Sequence, residues 1–253
     1  MPIDFDGTDD ELRISSLVAS ISAPCSAAFW VKLGQTESTE KQLFRLYLNY
    51  THDVGVTYGV NGKFLFYSSD ATDRGYVQPS ATPVALTWYH IAVVLDGTNN
   101  GILYVDGVNA ANKATGKNPQ GMTAVVCASN IGGRYLNGTI SDLGIWSAAL
   151  SSDEVSLLHS SRMKYLVPQI QAANLKVYLP FDDFADGATA SGANTIIDRS
   201  GNGNHGTPIN SPVGKAEAFL SYPAWPQIIV PEAAAVGTVV KDIIQPGIIA
   251  FPR

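Results

Sequence analysis

The acidic residues give little support for hydrolytic chemistry. Glycoside hydrolysis needs two carboxylates that flank the scissile bond. The sequence contains only six glutamates, namely Glu11, Glu37, Glu40, Glu154, Glu217 and Glu232. None of them has an aspartate two residues further along, so a Glu-x-Asp catalytic pair is missing. A glycosidase is therefore the least favoured of the functions considered below.

Other catalytic and metal-binding patterns are also missing from the sequence. It contains no Gly-x-Ser-x-Gly elbow of the kind that positions the nucleophile of a serine hydrolase. Its four histidines are widely separated, and no Cys/His spacing typical of zinc appears. His90 stands between Tyr89 and Ile91, which favours a packed histidine. Cys25 and Cys127 are the only cysteines and are expected to be reduced. We therefore expect no catalytic residues and no enzymatic activity.

Aromatic side chains could instead stack against the rings of a sugar. Three of the four tryptophans, Trp30, Trp88 and Trp146, stand among aliphatic residues and are expected to pack in the core. The tyrosines expected in loops are better candidates for an exposed, ligand-binding platform. These are Tyr58, Tyr76 and Tyr135.

Charge and hydropathy narrow the choice of partners. The net charge is −6, from 22 acidic and 16 basic residues, and the basic residues form no stripe, so a nucleic-acid partner is not expected. Apolar runs are far shorter than the roughly 20 residues of a spanning helix, so no membrane partner is expected. The first residues lack the pattern of a secretion signal, which predicts synthesis and folding in the cytoplasm.

The first 150 residues consist of short stretches that mix branched, aromatic and polar residues, which is typical of strands. Predicted strands occupy residues 26–33, 43–50, 54–60, 63–68, 88–95, 102–105, 108–111, 125–131 and 139–146, and a later one runs from 175 to 181. Asn61-Gly62 and Asp106-Gly107 each predict a tight hairpin turn.

A single helix is indicated, because Ser151-x-x-Glu154 forms a capping box ahead of an apolar stretch. Many short strands with one surface helix predict an all-β fold, a two-sheet antiparallel β-sandwich or jelly roll.

Several segments, taken in order, resemble the laminin-G-like and concanavalin A-like lectin-glucanase superfamily. They are F-D-G-T-D-D at 5–10, W-Y-H-I-A-V-V-L-D-G at 88–97, L-Y-V-D-G at 103–107, I-G-G-R-Y-L-N-G-T-I-S-D-L-G-I-W at 131–146 and the helix S-S-D-E-V-S-L-L at 151–158. The resemblance implies a concanavalin A-like sandwich. It leaves function open, because lectins, glycosidases and adhesion modules share this fold.

The order of two further segments departs from the family. An opening strand like L-P-F-D and a D-x-S-G-N-G-N-x-G-T loop usually come first, whereas here they come last, at 179–182 and 198–207. A circular permutation explains this order, because the termini of a sandwich can lie close together. The alternative is a truncated tandem in which residue 175 begins a second domain.

This arrangement, with H-G-T-P-I-N-S-P-V-G-K-A-E-A-F-L-S-Y-P at 205–223, looks like laminin-G-like proteins encoded among tailed-bacteriophage virion genes. The resemblance implies a non-enzymatic protein of the virion surface, such as a capsid decoration protein or a head or tail accessory protein. Capsid or other virion subunits, and further copies of the chain, would then be its partners. A lectin-like module that binds glycans is the alternative.

The same resemblance implies a structural calcium ion, because many relatives hold one through oxygen ligands. Asp6, Asp9 and Asp10 cluster around Gly7, and Asp142 lies in the strand whose family counterpart often supplies a ligand. Asp6 and Asp142 are therefore the predicted metal ligands. The alternative is that the first three aspartates only form turns.

The chain is expected to divide into a sandwich at residues 1–221, with 175–207 supplying the permuted strand and loop, and an extended C-terminal arm at residues 222–253. The arm is rich in proline and in aliphatic residues without a clear period, and we expect it to dock onto other subunits. The predicted docking residues are Ile228, Ile229, Val239, Val240, Ile243, Ile244, Ile248, Ile249 and Phe251.

Overall fold

The computed structural model describes residues 2–36, 39–59, 61–71, 73–114, 117–128, 133–161 and 166–216. The predicted arm at residues 222–253, with its nine docking residues from Ile228 to Phe251, lies outside this range. The described part of the chain contains two antiparallel sheets, one α-helix and one short 3-10 helix. The predicted all-β sandwich fold is therefore confirmed.

An eight-stranded sheet forms one layer of the sandwich. Its strands are β1 (Ile3–Asp6), β3 (Cys25–Leu33), β8 (Trp88–Leu95), β9 (Asn100–Val105), β10 (Val108–Ala114), β12 (Asn137–Trp146), β13 (Leu175–Leu179) and β15 (Val213–Gly214). The order across the sheet is β10-β9-β8-β3-β12-β1-β15, and β13 also pairs with β12.

A seven-stranded sheet forms the facing layer. Its strands are β2 (Glu11–Ile14), β4 (Lys41–Asn49), β5 (His52–Tyr58), β6 (Phe64–Asp70), β7 (Asp73–Val77), β11 (Ala124–Cys127) and β14 (Thr207–Ile209). The order is β14-β2-β11-β4-β5-β6-β7. Because side chains alternate along a strand, each strand presents one set of residues to the other sheet and one set outward.

The main core fills the space between the sheets. Ile91, Val93 and Leu95 of β8 belong to it, and so do Phe44 and Leu46 of β4, all fully buried. The two cysteines are buried in this core as free thiols, Cys25 on one sheet and Cys127 on the other. Burial raises the pKa of the Cys25 thiol to about 12, which makes it unreactive at neutral pH.

A second apolar cluster lies on the outer face of the eight-stranded sheet. Trp30, Val94 and Trp146 alternate with the residues of the main core and point the other way. Helix α1 (Ser152–Ser160) covers them with Val155 and Leu158. The segment that follows the helix adds to this cover, since the Trp146 Nε1–H donates to the Ile170 carbonyl at 2.8 Å. Within the described residues, the sandwich thus has a third, helical layer on this side and none on the other.

The capping box predicted at the start of α1 is confirmed. The Ser151 hydroxyl accepts a hydrogen bond from the Glu154 amide, and the Glu154 carboxylate accepts one from the Ser151 amide at 2.8 Å. These two bonds satisfy amides that the first helical turn leaves without partners.

The segment after the helix returns to the sandwich. β13 pairs with residues 143–146 of β12, whereas β1 pairs with residues 137–140 of the same strand, so both lie along one edge of β12. β14 then pairs with β2, and β15 pairs with β1. Residues 175–214 therefore supply strands to both sheets.

Of the two predicted hairpin turns, one is confirmed and one is not. At Asp106-Gly107, both residues have positive φ angles of 51° and 76°, as a two-residue turn requires. At Asn61-Gly62 the prediction of a tight turn was wrong, because β5 ends at Tyr58 and β6 begins at Phe64. The connection is longer and is closed by a hydrogen bond from the Gly59 amide to the Lys63 carbonyl.

Among the residues that the structure describes, no helix has the length and apolar character to span a bilayer.

Candidate functional site

Three aspartates gather where β1 ends and the chain turns into β2. We call Asp6, Asp9 and Asp10 the acid turn. One carboxylate oxygen from each lies within 4.8 Å of the others. The turn is held by its own hydrogen bonds: Asp6 Oδ1 accepts from the Thr8 amide at 2.7 Å, and Asp10 Oδ2 accepts from the Asp6 amide at 3.1 Å. Asp6 and Asp9 are exposed, while Asp10 is buried.

The acid turn is electrostatically unfavourable without a cation. Burial, together with the negative charges of Asp6, Asp9 and Asp4, raises the pKa of Asp10 to about 6, although the hydrogen bond from the Asp6 amide opposes this shift. A carboxyl group with such a pKa is only fully ionised above neutral pH. A bound cation would favour the ionised form.

The structure does not bring the two predicted metal ligands together. Asp6 pairs with Asn137 of β12, and Asp142 lies five residues further along that strand. Five residues of strand span about 16 Å, too far for one ion. Asp142 is also buried, where its carboxylate accepts from the Ser141 hydroxyl at 2.7 Å and from the Tyr178 hydroxyl at 3.4 Å.

The donor set of the acid turn fits calcium in part. Calcium takes six to eight oxygen ligands, often carboxylates, backbone carbonyls and water together. Asp6, Asp9 and Asp10 supply hard oxygen atoms from one short loop, and Asp142 cannot add to them. Any ion held at this turn would therefore take the rest of its ligands from backbone oxygens and water.

The three predicted platform tyrosines lie in different environments. Tyr58 ends β5 and is buried in the core, where its ring packs against Phe64 with centroids 6.3 Å apart, so it cannot face a ligand. Tyr135 precedes β12 and is half-buried. Tyr76 lies in β7 and is 47% exposed. Only Tyr76 has the exposure that a platform needs, and it belongs to a strand.

Tyr76 lies on a polar surface that the tyrosine prediction did not include. In register across four strands, Tyr76 pairs with Tyr67, Tyr67 with Gly55, and Gly55 with Arg45. Residues paired in this way point to the same side of a sheet, and here that side is the outer one, because Phe44 and Leu46 on either side of Arg45 belong to the main core. We call Gln42, Arg45, Asp53, Tyr67 and Arg74 the arginine face.

A shared carboxylate organises the arginine face. Asp53 Oδ2 accepts from the Nε of Arg45 at 2.8 Å and from the Nη2 of Arg74 at 3.1 Å. Arg74 Nε also donates to the Ser69 hydroxyl at 2.9 Å. Asp53 is fully buried and Arg45 is nearly so, whereas the Arg74 side chain remains 32% exposed.

Aromatic rings lie against both guanidinium groups. Arg74 lies over the Tyr67 ring at 4.4 Å, and Arg45 lies 4.7 Å from the Tyr47 ring and 5.3 Å from the Tyr50 ring. Tyr67 in turn lies flat across Gly55, where any side chain would collide with its ring. Its hydroxyl donates to Gln42 Oε1 at 3.1 Å, so the ring is fixed at both ends.

The exposed parts of this surface are aromatic and cationic. Tyr50 follows β4 and is 72% exposed, whereas Tyr76 and Arg74 both belong to β7 and are 47% and 32% exposed. Three strand spacings separate β4 from β7, a distance of about 14 Å. Flat rings beside fixed hydrogen-bond donors are the usual lining of a small-ligand site.

Sequence reasoning missed the arginine face because its residues come from four strands. A signal was nevertheless present within each strand, since Arg45 and Tyr47, Asp53 and Gly55, and Arg74 and Tyr76 are spaced two apart and so share a face. What the sequence could not supply was the register that brings these pairs together.

The D-x-S-G-N motif has a structural role. Asp198 is buried and accepts hydrogen bonds from the amides of Tyr178, Ser200 and Asn204 at 2.8–2.9 Å. Asn204 donates to the Lys176 carbonyl at 2.7 Å and accepts from the Val18 amide at 2.8 Å. The motif therefore fastens β13 to the loop after β2.

Many proteins of known structure superpose on this chain. A heptameric SAP-like pentraxin from Limulus polyphemus superposes with a TM-score of 0.51 and 17% identity, over 62% of this chain and 81% of the pentraxin chain. A protein from Bacteroides ovatus ATCC 8483, provisionally described as carbohydrate binding, superposes with a TM-score of 0.59 and 14% identity, over 86% of this chain and 60% of that one. At these identities the likeness shows the fold alone. The sequence matched no curated protein significantly.

A family model settles the relationship that the motifs indicated. The model named Laminin_G_3 matches residues 6–156, which is more than half of the chain and runs from the acid turn through both sheets into helix α1. This chain belongs to the concanavalin A-like lectin/glucanase superfamily.

Proposed function

We propose that this protein is a non-enzymatic, lectin-like module that binds carbohydrate on the arginine face. The observation that carries the proposal is the exposed row of Tyr50, Arg74 and Tyr76 on the outer side of the seven-stranded sheet, where no helix lies over it within the part of the chain that the structure describes. Tyrosine rings offer flat apolar surface to a sugar ring, and arginine offers directed donors to its hydroxyl groups.

The composition of the face supports binding rather than catalysis. The carboxylate at its centre, Asp53, is fully buried and ion-paired to two arginines, so it has neither the access nor the freedom of a general acid or base. The Bacteroides ovatus structure, whose description is carbohydrate binding, has the same fold, which is consistent with a glycan partner for this chain.

Binding to an immobilised glycan array tests this proposal. Tyr50→Ala and Tyr76→Ala should each weaken binding by roughly three- to tenfold, because each removes one aromatic contact. Leu157→Ala is the matched control, since Leu157 is 46% exposed on helix α1 at the opposite side of the molecule. A protein that binds no glycan, or tyrosine variants that bind like the parent chain, would overturn the proposal.

A second function is compatible with the first. We propose that the module serves on the surface of a bacteriophage virion, as a capsid decoration or head or tail accessory protein assembled in the host cytoplasm. The order of motifs at 179–207 and the segment at 205–223, which resemble phage-encoded laminin-G-like proteins, favour this role. Removing residues 226–253 should leave a folded sandwich that no longer self-associates or binds virion particles. Undiminished particle binding by the truncated chain would contradict docking through the arm.

The order of motifs also leads us to propose that the fold is circularly permuted. The pairing of β13 and β1 with successive stretches of β12 supports this, because residues 175–179 then join the same sheet as β1 instead of beginning a second domain. Deleting residues 170–210 should abolish cooperative thermal unfolding, since buried Val177, Leu179 and Phe181 would be lost from the main core. A deleted chain that melts like the full-length protein would support the truncated tandem instead.

We further propose that the acid turn holds a structural calcium ion. Calcium should raise the melting temperature of the parent chain, because an ion that binds only the folded state stabilises it. Asp10→Asn should abolish this response, and Asp142→Asn should retain it because Asp142 lies about 16 Å away along β12. An identical melt with calcium and with chelator would leave the three aspartates as turn formers.

A further inference from the structure

Four asparagine-glycine pairs occur in the sequence, and the structure places them in different surroundings. They are Asn61-Gly62, Asn100-Gly101, Asn137-Gly138 and Asn202-Gly203. In such a pair the glycine has no side chain to keep its backbone nitrogen away from the Cγ atom of the asparagine, so the two groups can react with each other. Whether a given pair reacts depends on how freely both groups can move.

Two of the pairs lie in strands that have a neighbour on each side. Gly101 of β9 lies between β8 and β10, and Gly138 of β12 lies between β1 and β3. Closing a ring between the glycine nitrogen and the asparagine Cγ requires a rotation of the asparagine backbone. The hydrogen-bonded ladders on both sides oppose this rotation, so these two pairs react only when the sheet opens locally.

The third pair is protected by the side chain of its asparagine. Asn202 is exposed, but its Nδ2 donates to the Leu175 carbonyl at 2.9 Å and to the Ser200 hydroxyl at 3.0 Å. It belongs to the motif that fastens β13 to the loop after β2. Attack on its Cγ would break these bonds, which makes the reaction slower at this position.

The fourth pair, Asn61-Gly62, lies outside the strands, in the connection between β5 and β6. Asn61 is exposed, and its side chain makes no hydrogen bond with any residue that the structure describes. The Gly62 amide donates to the Gly59 carbonyl at 2.9 Å. This bond lies wholly within the loop, so it opens without disturbing the ladder between β5 and β6.

We propose that Asn61 is a site of spontaneous deamidation. The Gly62 nitrogen gives up its proton to the solvent and attacks Cγ of Asn61, the bond from Cγ to Nδ2 breaks, and Nδ2 leaves as ammonia. Water then opens the resulting succinimide ring at either carbonyl, which yields aspartate or isoaspartate, and water is the only co-reactant. Either product adds one negative charge to a chain whose net charge is −6, and isoaspartate also lengthens the backbone of the loop by one carbon.

The test is peptide mapping by mass spectrometry after the full-length chain is incubated in mildly alkaline buffer below its melting temperature. Asn61 should be converted to the acid at least about tenfold faster than Asn100, Asn137 or Asn202, because local opening exposes the other three in only a small fraction of molecules. Asn61→Gln is the matched variant, since the longer side chain closes its ring far more slowly. It should lack the first acidic species that isoelectric focusing detects in the parent chain, and a thermal melt establishes that it is folded.

The same incubation in urea shows whether the fold sets this order. All four asparagines should then react at similar rates, because each of them precedes a glycine and the protection by the ladders and side-chain bonds is lost. An Asn61 that stays intact in the folded chain, or a folded chain in which another of the four reacts first, would overturn the proposal. A preference for Asn61 that persists unchanged in urea would also overturn it, because the local sequence rather than the exposed loop would then select the site.

Discussion

The two sheets of this sandwich differ most on the sides that face away from the core. On the outer side of the eight-stranded sheet, Trp30, Val94 and Trp146 form an apolar cluster under helix α1. On the outer side of the seven-stranded sheet, the arginine face is charged and aromatic, and no described helix covers it. One outer surface is thus apolar and covered by the helix, and the other is polar and partly exposed.

The difference originates in the alternation of side chains along single strands. β8, W-Y-H-I-A-V-V-L, is apolar at nearly every position, so both of its sides must be buried. β4, K-Q-L-F-R-L-Y-L-N, places Phe44 and Leu46 on one side and Arg45 and Tyr47 on the other. A strand that is apolar on both sides requires a third layer, and a strand with a polar outer side does not.

Substitution of Trp146 should produce the largest effect. Trp146 is fully buried between the sheet and the segment after α1, and its indole donates to Ile170. Trp146→Ala should lower the free energy of unfolding by about 3–5 kcal/mol, the usual cost of truncating a buried tryptophan, as measured by urea denaturation.

The control for that measurement lies on the same helical layer. Leu157→Ala, on the exposed side of α1, should change the free energy of unfolding by less than about 0.5 kcal/mol. If Trp146→Ala cost no more than Leu157→Ala, the helical layer would not be stabilising the sheet, and the contrast between the two outer faces would lose its basis.

The arginine face should depend on charge pairing rather than on apolar burial. Asp53→Asn leaves Arg45 and Arg74 close together without their shared carboxylate, and should lower the free energy of unfolding by about 3 kcal/mol. A double variant that combines Arg45→Met with Asp53→Leu should recover part of this loss, because it removes both buried charges. Urea denaturation of the single and double variants measures the difference.

Asp182→Asn provides a comparison at an exposed ion pair. Asp182 pairs with Arg199 at 3.4 Å near the surface, and its substitution should cost no more than about 1 kcal/mol. If Asp53→Asn cost as little, or if the double variant were less stable than Asp53→Asn alone, the face would not be organised around its buried carboxylate.

Much of the fold could be predicted from the sequence because strand patterns and caps are local. The limits of β8 were predicted to the residue, and the capping box at Ser151 and Glu154 located the helix. The short strands β2, β14 and β15 were missed, because two to four residues carry no period. They form only where β1 and their other neighbours offer backbone hydrogen bonds.

The proposed binding surface could be predicted only in part, because it depends on register. Tyr58 and Tyr76 were both predicted as ligand-binding residues because they are tyrosines expected in loops. Tyr76 is exposed. Tyr58 lies in the core, one position away from the outward-facing Thr57. A shift of one residue reverses the side on which a strand residue lies. Asp6 and Asp142 were joined by family resemblance, and the pairing of β1 with β12 separates them.

A buried histidine beneath helix α1 should also make the protein less stable in acid. His90 lies under α1, beside Trp30 and 5.7 Å from the His159 ring, and burial, with the charge of His159, lowers the pKa of His90 to about 3. Between pH 6.5 and 3 the unfolded chain binds a proton at His90 that the folded chain does not, so stability is lost as the pH falls through this window. Between pH 7 and pH 5 the loss should be about 2 kcal/mol.

His90→Phe isolates this contribution. The variant keeps an aromatic ring under the helix but cannot bind a proton, so its free energy of unfolding should decrease less than that of the parent chain when the pH is lowered from 7 to 5. Other titrating groups, including Asp10, act equally in both proteins and cancel in the difference. Equal losses in the two proteins would show that His90 is not held neutral under α1.

The smallest effect is expected at Thr57, on the outer side of the seven-stranded sheet. Thr57 is fully buried, and its hydroxyl has no hydrogen-bond partner among the described residues. A buried hydroxyl without a partner is destabilising, so Thr57→Val, which replaces the hydroxyl with a methyl group of similar size, should raise the free energy of unfolding by about 1 kcal/mol.

Gln42→Val at the paired position should lower the free energy of unfolding, because the Gln42 side chain bonds to the carbonyls of Phe44 and Val56 and to the Tyr67 hydroxyl. The two variants add similar apolar groups to the same side of the sheet, so opposite signs would show that satisfied hydrogen bonds, and not polarity as such, stabilise the arginine face. If both variants were destabilising, the Thr57 hydroxyl would have to belong to that hydrogen-bond network as well.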